Sequence, residues 1–339
     1  DCCSNGRNSS RKPVAFLSSA EYDSLHRRFT PAIEIATLVT PCLVLTMKTS
    51  LSFGHFLLAL AVVAVWGSNF VVIKLALHDL PPLLFATLRF ALAVRPLILF
   101  LPRPAVPWRN LAGYGLLIGV GQFGLLFIAM DGHISPGLAS LVIQVQVFFT
   151  IGLSMYFSGE RLQRMQWLAL ALATVGIGVI VLHTDGTTTV LGLGLILLAA
   201  LSWAGGNMLS RAAGQINMIA YVVWSSLFAV PVLATLALLV EGWDAVAQGV
   251  QNAGPLTWLA IAWQAWGNSI FGYAAWGWLL SRYPAATITP MALLIPLFGM
   301  GASALWLDES MPGWKLTAAA LVMGGLALNL LWPKLRKWF

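Results

Sequence analysis

Two short stretches, WGSNFVVIK at residues 66–74 and WAGGNMLSR at residues 203–211, share a tryptophan, a nearby asparagine and a basic residue eight positions after the tryptophan. A second pair of stretches follows at the same place in each half of the chain: FFTIGLSMYFSGE ends at Glu160 and LFGMGASALWLDE ends at Glu309. Matching markers in the same order indicate one structural unit that is repeated along the chain.

The composition indicates that lipid, rather than water, surrounds most of the chain. Hydrophobic residues make up 59% of it and charged residues only 9%, whereas charged residues are about 25% of a soluble domain. Ten apolar segments come close to the ~20 residues that a helical crossing needs. The predicted spans are 53–73, 82–101, 110–130, 136–156, 165–183, 190–210, 218–240, 256–281, 286–307 and 314–332.

Five of these spans fall in each half, and because five is odd, the second half enters the membrane in the opposite sense to the first. We therefore predict an all-α integral membrane protein with ten transmembrane helices in two inverted five-helix repeats. This arrangement is typical of secondary transporters, whose substrate site lies near the bilayer midplane. The predicted parts are an extension at 1–46, a first repeat at 47–184, a second repeat at 185–333 and a basic cytoplasmic tail at 334–339.

The extension at 1–46 does not follow the membrane pattern. It contains all three cysteines and a mixture of charges. Residues 31–46 are fairly apolar, but Glu34 and Pro41 interrupt them and no small-residue cleavage site follows, unlike in a signal peptide. We expect this extension to be non-native or disordered, and dispensable. Because no cysteine follows it, we expect no disulfide and no thiolate metal site in the membrane domain.

The formal charge of +7 indicates a topology rather than a nucleic-acid partner. In the loops and at the helix ends, from residue 48 onward, only Lys74 and Lys315 are basic on one side of the membrane, where the acidic residues concentrate. An excess of basic residues marks cytoplasmic loops, so both ends of the membrane domain are predicted to be cytoplasmic. The basic residues on the cytoplasmic side are Lys48, Arg103, Arg109, Arg161, Arg164, Arg211, Arg282, Lys334, Arg336 and Lys337.

Several classes of function lack their sequence signals. The chain has no phosphate-binding Gly-rich loop, no His-Glu-x-x-His and no Gly-x-Ser-x-Gly, so we expect neither an enzyme nor a cofactor or metal site. Every acidic residue after position 47 falls at a helix end or in a loop. Proton coupling would therefore use a helix-end group, or transport would be without strong coupling. A membrane scaffold or sensor is the alternative from another class, although it would not need an inverted duplication.

Arg89 is the charge that the sequence places deepest in the membrane domain. It lies about seven positions into the second helix, roughly 10 Å from the outer face at 1.5 Å per residue. A charge at that depth costs at least ~2–3 kcal/mol and normally faces the bundle interior or a wet cavity. Arg89 either binds the carboxylate of a substrate through its planar fork, or binds backbone carbonyls at a broken helix, or snorkels outward.

Uncharged amides form the second group of candidates. Amides in lipid usually hydrogen bond across helices, but Asn69 and Asn207 belong to the repeated stretches and should both approach the midplane. Gln144 and Gln146 are two positions apart, so at most one of them faces a cavity if their segment is a regular helix.

Aromatic rings and prolines complete the candidate set. Trp263, Trp266 and Tyr273 are spaced by three and seven, which puts their rings on one face of the eighth helix, to line a cavity or to pack. All the candidate substrate-binding residues are Arg89, Asn69, Trp66, Gln144, Gln146, Asn207, Trp203, Trp263, Trp266 and Tyr273. The candidate kink and gating residues of the fourth and ninth helices are Pro136, Pro284, Pro290 and Pro296.

Four longer stretches carry a resemblance to a known family. They are VVAVWGSNFVVIKLALHDLPPLLFATLRF (62–90), PGLASLVIQVQVFFT (136–150), GER (159–161) and SRYPAATITPMALLIPLFGMGASALWLDE (281–309). These resemble the EamA family of the drug/metabolite transporter superfamily, and are most similar to its bacterial O-acetylserine/cysteine exporters. The resemblance covers about 53–333 and implies ten helices in two inverted repeats around a central cavity, with efflux of small metabolites, amino acids among them.

We therefore expect a secondary exporter of a bacterial inner membrane, with the bilayer and a small-molecule substrate as its partners. It would move a small zwitterionic amino acid or derivative, cysteine-like or O-acetylserine-like, by alternating access. The alternative within the same class is an exporter of aromatic amino acids or of amphiphilic drugs and metabolites, which the tryptophans would suit.

Overall fold

A computed structural model describes residues 51–158, 164–184, 187–283 and 285–335, and every regular element in this part of the chain is helical. These residues belong to one unit, Lys48–Phe339. The predicted extension at 1–46, most of the predicted tail at 334–339 and Pro284 lie outside the described residues.

Ten helical segments, numbered α1 to α10, follow one another along the described chain. Nine of these described segments are long and apolar enough to cross a membrane. The remaining one, α8, is helical throughout 255–282, which exceeds the ~20 residues of a crossing, but its amide and hydroxyl side chains make it less apolar. The predicted count of ten is consistent with this structure. The segments are α1 Phe53–Ala76, α2 Pro82–Leu99, α3 Trp108–Met130, α4 Pro136–Phe157, α5 Arg164–Leu182, α6 Val190–Ala212, α7 Met218–Glu241, α8 255–282, α9 Thr289–Trp306 and α10 Gly313–Leu335.

Contacts between helix ends show that the two repeats are inverted. The carboxylate of Glu241, at the end of α7, accepts hydrogen bonds from the backbone amides of Leu83 and Leu84 at the start of α2 (2.6 and 3.1 Å). The carboxylate of Glu309, which follows α9, accepts one from the amide of Gly137 at the start of α4 (2.9 Å). Helices α2 and α7 are thus antiparallel, as are α4 and α9, although they hold equivalent places in the two repeats.

The repeats also share their departures from regular α-helix. Segments α3 and α8 each contain a nine-residue π-helical stretch, Leu116–Gly124 and Trp263–Phe271. Segments α4 and α9 each contain a 3₁₀ stretch, Ile143–Val145 and Thr289–Leu294. Such stretches inside helices often mark functional positions, and all four contribute residues to the cavity described below.

The prolines lie close to where the sequence predicts bends. Pro136 begins α4, Pro290 is the second residue of the 3₁₀ stretch in α9, and Pro296 is the second residue of the α-helical part that follows it. A proline supplies no backbone amide for the helical ladder, which favours such breaks. Their part in gating remains a prediction.

Close helix contacts depend on glycine at two positions of α3. A Cβ atom added at Gly115 would lie 2.1 Å from the carbonyl oxygen of Ser225, and one added at Gly119 would lie 2.4 Å from the Cβ atom of Ala229. Both neighbours belong to α7. Small residues therefore allow α3 and α7 to approach each other closely, as is usual where membrane helices pack.

Candidate functional site

A cavity of about 600 Å³ lies between the two repeats. Its lining comes mainly from α1, α3 and α4 of the first repeat and from α6, α8 and α9 of the second. This volume falls within the roughly 300–1,000 Å³ of small-molecule sites. Most of the lining is apolar or aromatic, and none of the described residues that line the cavity is charged.

The cavity reaches one end of the bundle, and toward the other end its lining runs along α1 as far as Ile73. Its lining includes Met218 and Thr289, the first residues of α7 and α9, and Leu280 near the end of α8. At the other end the lining of α4 stops at Ile143, and all seven residues of Pro136–Val142 are buried. We call this closed end, which carries Asp79, Glu241 and Glu309, the carboxylate end.

Glu309 is the most heavily bonded group at the carboxylate end. It accepts hydrogen bonds from Ser135 Oγ (2.5 Å), the Gly137 amide (2.9 Å) and Lys315 Nζ (2.9 Å). Burial raises the pKa of the Glu309 carboxyl, but the hydrogen bonds from Ser135, Lys315 and Gly137 and the charge of Lys315 outweigh burial and lower it below its usual value. The side chains of Glu309 and Lys315 are only 8% and 6% exposed, so a buried ion pair joins α4, α9 and α10.

Two further features close the same end. The Thr257 hydroxyl, at the start of α8, donates a hydrogen bond to the carboxylate of Asp79, which follows α1. Helices α4 and α9 also touch closely, since a Cβ atom added at Gly299 would lie 2.4 Å from Ser140 Oγ. Opening the carboxylate end would therefore require the first turns of α4 and α8 to separate from their partners.

The structure brings most of the predicted candidates together in this cavity. Gln144 and Gln146 both line it. A regular helix would let only one of them face the cavity, but Ile143–Val145 is a 3₁₀ stretch, so both can. The candidates that line the cavity are Trp66, Asn69, Gln144, Gln146, Trp203, Asn207 and Tyr273.

Two amide pairs differ in how fully they are hydrogen bonded. Asn207 Nδ2 donates to Gln146 Oε1 (2.9 Å) and lies 3.3 Å from Thr150 Oγ1. Asn69 Nδ2 donates to Gln264 Oε1 at 3.4 Å, whereas Asn69 Oδ1 and Gln264 Nε2 are buried without a partner. Unsatisfied buried amide atoms are costly; of this pair, Asn69 lines the cavity and so retains binding capacity for a ligand there.

Arg89 lies beside the cavity but does not line it. Its side chain is buried, and Nη2 donates to the Ser269 hydroxyl (2.8 Å), not to a backbone carbonyl. The guanidinium carbon lies 3.7 Å from the ring centroid of Phe123 and 4.7 Å from that of Phe90. Arg89 Nε and Nη1 have no hydrogen-bond partner.

The predicted aromatic face of α8 is not formed as one unit. Tyr273 lines the cavity, but Trp263 and Trp266 do not, and they are 37% and 45% exposed on the outer surface of the bundle. The reason is the π-helical stretch Trp263–Phe271, which has more residues per turn than an α-helix, so the spacing of three and seven no longer selects one face.

Some lining residues were not among the predicted candidates. Trp276 packs against Trp66 with ring centroids 5.3 Å apart, and Phe123 lines the cavity with its ring against Arg89. The one feature of the sequence that could have indicated Trp276 as a lining residue is its position three residues after Tyr273. Phe123 had no such feature, because the sequence does not reveal that α3 is π-helical over Leu116–Gly124.

A helical membrane protein with two inverted five-helix repeats around one central cavity is, by fold and site, a membrane transporter. The chain belongs to the EamA-like transporter family, which it matches over residues 53–182 and again over 190–331. The two matches correspond to the two repeats of the structure.

Relatives of known name cover most of the chain. It is 42% identical over 288 residues to the "Probable amino-acid metabolite efflux pump" of Salmonella typhimurium and 40% identical over 288 residues to that of Escherichia coli K12; each alignment covers 83% of this chain and 96% of the relative. A "Probable terminal-alkyne amino-acid exporter" of Streptantibioticus cattleyicolor is 26% identical, over 82% of this chain and 93% of the relative. One solved crystal structure has the same fold, with a TM-score of 0.58 at 20% identity, covering 82% of this chain and 98% of the other.

Proposed function

We propose that this protein exports small amino acids or their derivatives, cysteine-like and O-acetylserine-like zwitterions among them, across a bacterial inner membrane by alternating access. The observation that carries the proposal is the central cavity, whose amides lie within an apolar and aromatic lining. The names of the relatives from Salmonella and Escherichia, amino-acid metabolite efflux pumps, support the same substrate class.

The charge pattern supports an orientation for the cavity. If the loops rich in Lys and Arg are cytoplasmic, the carboxylate end faces outward and the cavity extends toward the cytoplasm. This would be the state that takes up substrate. Release to the outside would then require the contacts of Asp79, Glu241 and Glu309 to separate while the cytoplasmic end closes.

The polar groups near the cavity suit the two ends of a zwitterion. The unpartnered Asn69 Oδ1 is an acceptor for an ammonium group, and the aromatic rings of Trp66 and Trp203 can attract the same charge. Arg89 supplies the one buried cation next to the cavity in the described chain and would bind the carboxylate.

An exporter of aromatic amino acids or amphiphilic compounds is the second candidate. Seven aromatic residues line the cavity: Trp66, Phe70, Tyr114, Phe123, Trp203, Tyr273 and Trp276. Offset ring pairs add about 0.5–1.5 kcal/mol beyond area burial. An aromatic substrate would gain these contacts, whereas cysteine would depend on the amides.

Transport by purified protein in proteoliposomes distinguishes these candidates. We expect radiolabelled L-cysteine loaded inside vesicles to exchange with external amino acids, and unlabelled O-acetyl-L-serine to compete better than L-tryptophan. Stronger competition by tryptophan would favour the aromatic exporter, and no exchange of any amino acid would contradict transport of this class. Repeating the assay with and without a pH gradient tests proton coupling, because no described carboxylate lines the cavity.

A further inference from the structure

Arg89 is a buried cation without a counter-ion. It is 2% exposed, and within the described residues no carboxylate forms a salt bridge with it. Of its three guanidinium nitrogens, only Nη2 has a hydrogen-bond partner, the hydroxyl of Ser269. A charge in a membrane interior is normally paired or faces a wet cavity, so the surroundings of Arg89 are incomplete as they stand.

Phe123 contacts this cation and also lines the cavity. Its ring lies on the guanidinium of Arg89, 3.7 Å from ring centroid to Cζ. Phe90 contacts the guanidinium at 4.7 Å but does not line the cavity. Of the two rings that lie against the guanidinium, Phe123 is therefore the one that also borders the cavity.

Phe123 packs against the rings of Phe90 and Phe127, whose centroids lie 5.7 and 5.9 Å away, and it also borders open space. The residue lies in the π-helical stretch Leu116–Gly124, between Gly121 and Gly124, and a cavity of about 600 Å³ adjoins its ring. A cation–π contact is weaker than a charge-assisted hydrogen bond between a guanidinium and a carboxylate. An incoming carboxylate therefore offers Arg89 a better partner than the ring it would replace.

We propose that Phe123 is a movable cover over Arg89, and that the carboxylate of the substrate displaces the Phe123 ring to bind the guanidinium. The cover selects for solutes that carry a carboxylate, because a neutral solute has nothing to gain from Arg89. In the empty state the ring shields the cation from the cavity. This inference rests on the proposed transport of amino acids and assigns Phe123 as its specificity-determining residue.

The test compares the binding of L-cysteine and of L-cysteine methyl ester to the detergent-solubilised protein by titration calorimetry. The ester keeps the ammonium and thiol groups but has no carboxylate. We expect wild type to bind the acid about ten- to a hundredfold more tightly than the ester, the range of one charge-assisted contact. Phe123→Leu should bind the acid at least about threefold more tightly than wild type, with the ester unchanged, because no ring has to be displaced.

Matched variants make the test specific. Phe90→Leu removes the other ring from Arg89 without opening the path to the cavity, so it should leave both affinities as in wild type. Arg89→Gln and Arg89→Lys should reduce the acid-to-ester ratio, and Arg95→Gln, which removes an exposed charge at the end of the same helix, should not.

Two results would overturn the proposal. One is a Phe123→Leu protein whose affinities for the acid and the ester change by the same factor. This measurement keeps Arg89 in place, so it does not depend on whether the Arg89 variants fold. The other is an Arg89→Gln protein that keeps the wild-type ratio. If wild type binds neither compound, the proposed amino-acid substrate is wrong. If wild type prefers the acid and the Phe123 and Arg89 variants keep that preference, only the proposed role of Phe123 and Arg89 is wrong.

Discussion

The carboxylate of Glu309 accepts a hydrogen bond from the backbone amide of Gly137 at 2.9 Å, although 172 residues separate the two in the chain. The contact joins the residue that follows α9 to the first turn of α4, its equivalent in the other repeat. An anionic group is favourable at a helix N-terminus because of the free amides and the helix dipole there. Glu309 is thus one of three carboxylates, with Asp79 and Glu241, that join the two repeats at the carboxylate end.

Substituting Glu309 by Gln should destabilise the folded protein, because it leaves the ammonium group of Lys315 buried without its partner. Removing one member of a buried ion pair costs about 3 kcal/mol or more. Thermal unfolding in detergent would measure the loss. Asp308→Asn, a charge removal at the exposed neighbouring position, is the matched control, and equal effects of the two substitutions would refute the role of Glu309.

The contribution of Glu309 should not change between pH 5 and pH 8. Its pKa is lowered in the folded state, so its stabilisation is fully present above the unfolded-state pKa of about 4.3 and is lost as pH falls through the lower folded-state value. The stability difference between wild type and Glu309→Gln should therefore be constant from pH 5 to 8 and shrink only below about pH 4. A difference that shrinks between pH 6 and 7 would show that Glu309 takes up a proton there.

The inverted repeats and the position of two amides in the cavity were predictable because paired sequence stretches indicate both. The paired stretches at 66–74 and 203–211 identified the inverted repeats, and the lining of the cavity includes Asn69 and Asn207 from the same stretches. Apolar segments near crossing length predicted the helices within a few residues. These features depend on local composition and order, which one sequence displays.

The details that depend on irregular helices were not predictable. The 3₁₀ stretch at Ile143–Val145 lets Gln144 and Gln146 both line the cavity, and the π-helical stretch of α8 turns Trp263 outward. Arg89 was identified as a buried charge, but its cover, Phe123, depends on contacts between helices. Regular periodicity cannot reveal these arrangements.

Reporter fusions test the orientation that the basic residues predict. Fusions after Lys337 and within 211–217 should report the cytoplasm, and fusions within 185–189 and 244–252 should report the outside, because basic loops are retained on the cytoplasmic side. The two sets are controls for each other. A cytoplasmic signal from 185–189 would contradict five crossings in the first repeat.

Blocking the cavity with one side chain tests the central claim, that substrate passes through it, most directly. Gly277 lines the cavity, and a Cβ atom added there would meet no atom within 4 Å, so Gly277→Trp should fill part of the cavity and still fold. Gly194→Trp is the matched control, since Gly194 also has open space around it but is exposed and lies outside the cavity lining. The measurement is exchange of radiolabelled L-cysteine by equal amounts of folded protein in proteoliposomes. We predict that Gly277→Trp loses transport by at least about tenfold, equivalent to ~1.4 kcal/mol, while Gly194→Trp transports like wild type. Wild-type exchange by Gly277→Trp would contradict this prediction.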